Sequence, residues 1–284
     1  MPFEYRPNFD RSDFVEAAVK KADAIIERDS IKMADFTDMY GDRVQKDEEH
    51  LARVTAGMEQ SKSPRGEEGY KFSRVLEALI HEAGGKFGWF GKGVSMIKTS
   101  RFDDVVCGID EVVEFKSDQI PSVRSFLGLG IDVTYSQFID KKLRRVKDEI
   151  ESGNLATLRY FKDPKGDFRG ELKTLPHVVL GVDGHTVKQL AQLWLESERM
   201  DSSRRDIERH EVQWQILEEI EDQCRAFGRF AEHKGKADIA QRYRATRDII
   251  ASIMDAKKRS GLSDSGRRDG IFYALQVGLR DFRV

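Results

Sequence analysis

Hydrophobic positions recur at helical spacing through most of this chain, and a central block breaks the pattern by shortening the period to two. Residues 12–28 carry Phe14, Ala18, Ala22 and Ile25 three or four apart behind Ser12, which predicts a capped amphipathic helix. The stretch 42–60 offers only Val44, Leu51, Val54 and Met58 as larger apolar positions, too few for a core element, so residues 1–60 read as an N-terminal helical arm. Ser61-Lys62-Ser63-Pro64 then signals a helix start, with serine at the cap and proline at the first helical position, and Gly84-Gly85 stops that helix. Its apolar stripe is Phe72, Val75, Leu76, Leu79 and Ile80. At roughly 100° per residue, Glu68 projects close to that stripe, Glu82 lies at its edge and Glu77 points away.

The period changes after Gly85. Residues 86–100 read as a first strand or hairpin, 104–115 and 127–135 as two more strands, and 136–151 as a helix stopped by Gly153. A strand at 155–161 ends in the turn Asp163-Pro164-Lys165-Gly166, a buried strand follows at 177–182, and a helix at 187–198. This order predicts an α/β (α+β) core over 61–203, a mixed central sheet with helices on its faces. From 204 onward the period is helical again. Val212, Ile216, Ile220 and Phe227, then Ile239, Tyr243, Ile250 and Ile253, flank a break at Lys234-Gly235-Lys236, which predicts an antiparallel hairpin within a C-terminal unit, 204–284. Residues 257–270, rich in Lys, Arg, Ser and Gly, read as a mobile linker before the apolar run 271–275.

Composition narrows the class. The 284 residues are 39% hydrophobic and 35% charged, enough for a core beneath a heavily charged surface. No apolar run approaches the roughly 18–20 residues of a membrane span, and the first residues lack a basic-then-apolar signal pattern. Cys107 and Cys224 are too few for a disulfide framework or a zinc knuckle, and a reducing cytoplasm is the plain reading. A net charge of −2 argues against coating nucleic acid by bulk charge, yet leaves room for a local basic face. The six histidines show no ligand spacing, the three tryptophans read as core, and Gly128-Leu129-Gly130 precedes a strand and is no nucleotide loop.

The candidate chemistry lies in two strand aspartates. Asp110 in the run 108–115 and Asp132 in the run 128–134 stand where a buried strand places apolar residues. Such a carboxylate is costly unless paired, and a divalent metal is one common partner. The following helix carries Lys141, Lys142, Arg144, Arg145 and Lys147. Carboxylates that hold Mg²⁺, with a lysine beside them, are what phosphodiester hydrolysis needs: an activated water and charge stabilisation on phosphate.

Over residues 63–183, in the order αβββαβ, the chain resembles the PD-(D/E)xK nuclease superfamily. The resemblance implies a glutamate from the first helix, an aspartate on the second core strand and an acid on the third. In this sequence these become Glu68, Asp110 and Asp132, holding Mg²⁺ or Mn²⁺. The pattern departs at its last element, because Thr134 stands two residues after Asp132 where the family has lysine. Some members carry the lysine on the next helix. There Ile139, Leu143, Val146 and Ile150 define the buried stripe, Lys142 sits roughly 60° from its centre and Lys141 points nearly opposite. Thr134 shares a strand face with Asp132 and would support it. In a rival register, Asp104 precedes Glu114-Phe115-Lys116, which keeps the lysine in place but leads into a loop through Pro121 rather than a helix. Asp104 and Glu114 stay as accessory acids, and Lys141 and Arg145 become phosphate contacts. The resulting expectation is a Mg²⁺-dependent nuclease, DNA favoured. The alternative is an inactive nuclease-like scaffold that dimerises or binds a protein partner through its C-terminal helices.

Overall fold

The computed structural model of the chain describes residues 11–60, 64–115, 127–136, 139–164, 168–262 and 264–283. Its frame is a four-stranded mixed sheet, in the order β1 (Val94–Lys98), β2 (Glu111–Phe115), β3 (Leu127–Thr134), β6 (His177–Gly181). The first three strands are antiparallel neighbours, and β6 runs parallel to β3. That reversal needs a crossover, supplied by α5 (Asp140–Ser152). A two-stranded unit, β4 (Ala156–Lys162) with β5 (Arg169–Leu175), is inserted between α5 and β6.

Strand alternation sorts the two faces. Val113, Phe115, Leu129, Ile131 and Val133 face α4 (Pro64–Gly85) and belong to the main core, whereas Ile97 and Val112 face the β4–β5 unit with Leu158 and Leu175. α1 (Arg11–Asp29) and α6 (Gly184–Glu196) pack on the outer side of α4. This sandwiching corrects the phase predicted for α4. A helical wheel assumes one buried face, but Val75 to Ile80 are buried all round, Glu77 among them, while the Glu68 side chain is 63% exposed and pairs with Lys188 at 3.6 Å. Gly69 lets the Tyr135 hydroxyl come close to α4: a Cβ there would stand 1.7 Å from its oxygen, so Tyr135 would have to move.

The N-terminal arm contributes to two cores. α1 enters the main core through Ala18, Ala22, Ile25 and Ile26. A 3₁₀ turn (Met33–Phe36), α2 (Thr37–Tyr40) and α3 (Asp42–Gln60) gather Met33, Phe36 and Val44 around Phe102 and Tyr160. Asp47 of α3 accepts from the Tyr160 hydroxyl at 2.7 Å and from Arg159 at 2.6 Å, which ties the arm to β4.

The C-terminal helices close the open edge of the sheet. α7 (Asp201–Glu208) leads into the hairpin of α8 (Val212–His233) and α9 (Ala237–Arg259), which shares the main core. An edge strand exposes unpaired amides and carbonyls, and here side chains take the place of a neighbouring strand. The Val179 amide donates to Gln223 at 2.8 Å, and Gln223 donates back to the Val179 carbonyl at 2.6 Å. The Gly181 amide donates to Glu219 at 3.0 Å and its carbonyl accepts from Gln215 at 3.1 Å, while the Tyr243 hydroxyl serves His177 at both groups. Gln215, Glu219 and Gln223 recur every four residues along one face of α8, matching alternate residues of β6.

Residues 257–270 differ from the expected linker. α9 continues to Arg259, and beyond it Arg268 pairs with Glu218 and Asp264. Asp269 accepts from the Asp183 amide at 2.7 Å and from Gln215 at 2.9 Å, and caps α10 (Gly270–Gly278), which is followed by a short 3₁₀ turn (Leu279–Phe282). Long-range polar anchors, invisible to composition, hold this segment. Trp89, Trp194 and Trp214 are core residues. Among the described residues, no helix is long and apolar enough to cross a membrane.

Candidate functional site

Polar side chains collect where β2 and β3 begin and end, beneath the middle of α4. Asp110, one residue before β2, donates its amide to the Ile131 carbonyl at 2.8 Å. The β2–β3 register ends at Glu111 opposite Ile131, so this bond, made one residue beyond it to the same carbonyl residue, leaves the regular ladder at Asp110. Its carbonyl accepts from the Thr99 amide at 3.2 Å, the Thr99 hydroxyl at 3.1 Å and Lys98 Nζ at 2.6 Å. Its carboxylate accepts from the Val133 amide at 2.6 Å. Held at amide, carbonyl and carboxylate, Asp110 has little freedom.

Asp104 reaches the same place from a π-helical turn, Asp103–Cys107, where the alternation of the sequence predicts a strand. The buried Asp103 carboxylate imposes the turn by accepting from the Arg159 amide at 2.7 Å, the Tyr160 amide at 3.0 Å and the Ser100 hydroxyl at 2.7 Å. Gly108 ends the turn at φ 71°, the left-handed region that glycine enters freely. It also leaves space for Arg145, whose Nη1 would lie 1.3 Å from an added Cβ and which donates to the Cys107 carbonyl at 3.0 Å.

Glu77 completes the group from α4. One oxygen from each of Glu77, Asp104 and Asp110 lies within 4.8 Å of the other two, with Glu77 buried and both aspartates half-buried. An all-carboxylate donor set suits a hard cation such as Mg²⁺ or Mn²⁺ rather than zinc. The fully enclosed Glu111 Oε1 accepts no hydrogen bond, whereas Glu77 Oε1 is met by the Lys98 ammonium, so unmet acceptor capacity remains at Glu111 beside this donor set.

Electrostatics follow from that crowding. Burial raises Glu77 above the usual carboxylate range against the opposing charge of Lys98, and Asp110 adds to the rise. Burial and then the Asp110 charge put Asp104 well above its usual value. Asp132 is raised by burial, opposed by Lys142 and reinforced by Asp110. Lys98 is enclosed, yet Glu77 and Glu111 outweigh its burial and keep it charged. His81 bridges Glu111 at 3.0 Å and Asp29 at 3.3 Å; burial lowers it, but these two acids prevail and raise it.

The sequence-predicted residues separate into three groups. Asp110 is central, and Asp104, assigned to the rival register, joins it there. Asp132 lies beside the cluster rather than within it, ion-paired to Lys142, whose ammonium also donates to the Val133 carbonyl at 2.7 Å. Lys142 thus reaches over the strand end from α5, as its angular position predicts. Glu68 is remote, and Glu77 occupies the place expected for it. Thr134 is buried but turned to its own loop, accepting from the Ser136 amide at 3.1 Å. Glu114 sits four residues along β2 from Asp110, roughly 13 Å away at strand rise, and Lys116 lies outside the described residues. Lys141 and Arg145 line an open groove of about 520 Å³ on the outer side of α5, with Arg144, Asp148 and Asn154. Glu77, expected to point away, is buried, and Lys98 carries no expectation from the sequence, although each is a charged residue at an inward-facing position, within Val75–Ile80 and after Val94 and Met96.

Comparison with protein-family models, with curated proteins and with solved structures gives no match for this chain.

Proposed function

We propose that this chain is a metal-dependent phosphodiester hydrolase acting on nucleic acid, DNA before RNA, in a reducing cytoplasm. The observation that carries the reading is the meeting of Glu77, Asp104 and Asp110 from three separate elements, linked through the Val133 amide to the strand that holds the Asp132–Lys142 pair. The order of α4, β1 to β3, α5 and β6 supports it, being the order of the resemblance stated above. Glu77, Asp104 and Asp110 would hold Mg²⁺ or Mn²⁺. A divalent ion bound there supplies a water that is nucleophilic near neutral pH and stabilises charge on the phosphate. Lys142, with 29% of its side chain exposed, presents its ammonium to the scissile phosphate or the attacking water, and Asp132 orients it. Lys141, Arg144 and Arg145 carry the flanking phosphates along α5, close to the site because Arg145 rests on Gly108.

Two outcomes test this assignment of roles. Lys142→Ala lowers kcat for cleavage by about 10²–10³-fold, whereas Lys141→Ala leaves kcat within about threefold and raises KM with a shallower salt dependence. Equal effects of the two substitutions on kcat would remove Lys142 from the chemistry. The second outcome concerns protons. Glu77 and Asp104 hold theirs above the ordinary range, and an incoming ion displaces them, so affinity for Mn²⁺ rises with pH until both are ionised. Calorimetry in two buffers of different ionisation enthalpy detects net proton release on Mn²⁺ binding, which grows as the pH is lowered. Binding that is indifferent to pH and buffer contradicts a site built on these carboxylates.

A second reading has its own observation. Lys98 already neutralises Glu77 and Lys142 already neutralises Asp132, as a purely structural polar network would require. The chain would then be a non-catalytic module that works through the outward faces of α8 and α9, with a second copy or another protein as partner. It predicts neither Mn²⁺ binding nor cleavage.

A further inference from the structure

We propose that Lys98 is a built-in counter-cation that keeps the Glu77–Asp104–Asp110 centre assembled without metal and thereby sets how tightly the centre binds a divalent ion. This rests on the metal-dependent reading above. Lys98 ends β1 on the sheet face that α4 covers, in register with Glu111, and its side chain is 1% exposed. Its ammonium contacts Glu77, lies 3.8 Å from Glu111 Oε1 and donates to the Asp110 carbonyl at 2.6 Å. One positive charge therefore holds a side chain of the donor set and the backbone of another member. Lys142 does not share this task, because it approaches from α5 and is engaged with Asp132 and the Val133 carbonyl.

Two consequences follow from charge alone. Without Lys98, the carboxylates of Glu77, Asp104, Asp110 and Glu111 would face one another with His81 on Glu111, Arg74 on Glu77 and Lys142 committed to Asp132, and a buried cluster of that kind assembles poorly. With Lys98, an ion entering the centre shares Glu77 with an ammonium already touching it. Like charges at that range, in a partly desolvated site, oppose each other by more than a factor of ten. The orphaned Glu111 Oε1 shows that one ammonium leaves the pocket short of donors, so a cation is still attracted, but with reduced strength.

The test is Mn²⁺ binding by the full chain, read from the free-ion electron paramagnetic resonance signal, together with melting in the presence and absence of Mn²⁺. Lys98→Met keeps the stem and removes the charge. Lys98→Gln also keeps a donor for the Asp110 carbonyl, and it carries the measurement if the methionine variant does not fold. The expected result is Mn²⁺ affinity at least about tenfold tighter than wild type, with a melting temperature that depends on Mn²⁺ far more than the wild type's does. Affinity equal to or weaker than wild type in a folded variant overturns the role of Lys98 and leaves the metal site standing. Failure of the wild type itself to bind Mn²⁺ overturns the metal-dependent reading and this inference with it.

Discussion

Asp110→Asn lowers metal-dependent cleavage by about 10³-fold or more and removes measurable Mn²⁺ binding, while the protein stays folded. The substitution keeps the shape and most of the bonds of the native side chain. Asparagine is isosteric, and its amide oxygen can still accept from the Val133 amide, a bond of 2.6 Å in the native chain. The backbone grip of Thr99 and Lys98 on the Asp110 carbonyl is untouched. What disappears is the negative charge shared with Glu77 and Asp104, and with it the central member of the only all-oxygen trio found among the described residues. Asp104 loses a neighbouring charge that adds to its rise, while the burial that is the larger cause remains. Steady-state cleavage and calorimetry on the same preparation check the prediction. Activity within tenfold of wild type would place the centre elsewhere in the molecule.

Asp103→Ala has the largest expected effect on stability, a loss of about 3–5 kcal/mol. The substitution leaves two amides, those of Arg159 and Tyr160, and the Ser100 hydroxyl without their acceptor in a buried place. Each unsatisfied buried group costs about 1–3 kcal/mol. Burial raises Asp103 itself above its ordinary value, and its donors, the Cys107 thiol among them, only partly offset this, so some of the loss is recovered by no longer enclosing a carboxyl group. The damage also spreads to the site. Asp103 fixes the π-helical turn that carries Asp104, so Mn²⁺ affinity falls in the variant even in the fraction that remains folded. Urea unfolding followed by circular dichroism gives the first quantity, and calorimetry below the transition gives the second. A stability loss under about 1 kcal/mol would show that solvent or a neighbouring group satisfies those amides, and that the turn does not depend on Asp103.

How far the sequence discloses this molecule depends on whether a feature is set by local period or by tertiary surroundings. The sheet and its crossover are local: strands of period two, a helix with a clean stripe of Leu143, Val146 and Ile150, and a final buried strand give the mixed sheet that is observed. The placement of Lys142 is local too, because an angle from that stripe is enough to bring it over Asp132. Glu77 is not. The inference that placed Glu68 inward treated α4 as a surface helix, and α4 is instead covered by the sheet on one side and by α1 and α6 on the other. Asp104 is legible as an accessory acid, but the turn that carries it is not: Val105 and Val106 favour a strand locally, while Asp103 draws the backbone into a π turn through bonds to β4, more than fifty residues away. Lys98 was visible in a weaker sense. It follows Val94 and Met96 on one strand face, and a lysine on an apolar face calls for a carboxylate, but nothing in the sequence says which. The surrogate edge made by Gln215, Glu219 and Gln223 has a signal of the same kind, three long polar residues every four positions on the buried side of an otherwise apolar helix.

The measurement that bears most directly on the whole account is cleavage by the wild-type chain of supercoiled plasmid, single-stranded DNA, branched DNA and structured RNA, in Mg²⁺ or Mn²⁺ against a chelator. The account predicts cutting of at least one DNA substrate with either ion, none with chelator, and none by Asp110→Asn under any condition. No cutting of any substrate, combined with no Mn²⁺ binding, would contradict it and leave a polar network that Lys98 and Lys142 neutralise for the sake of the fold.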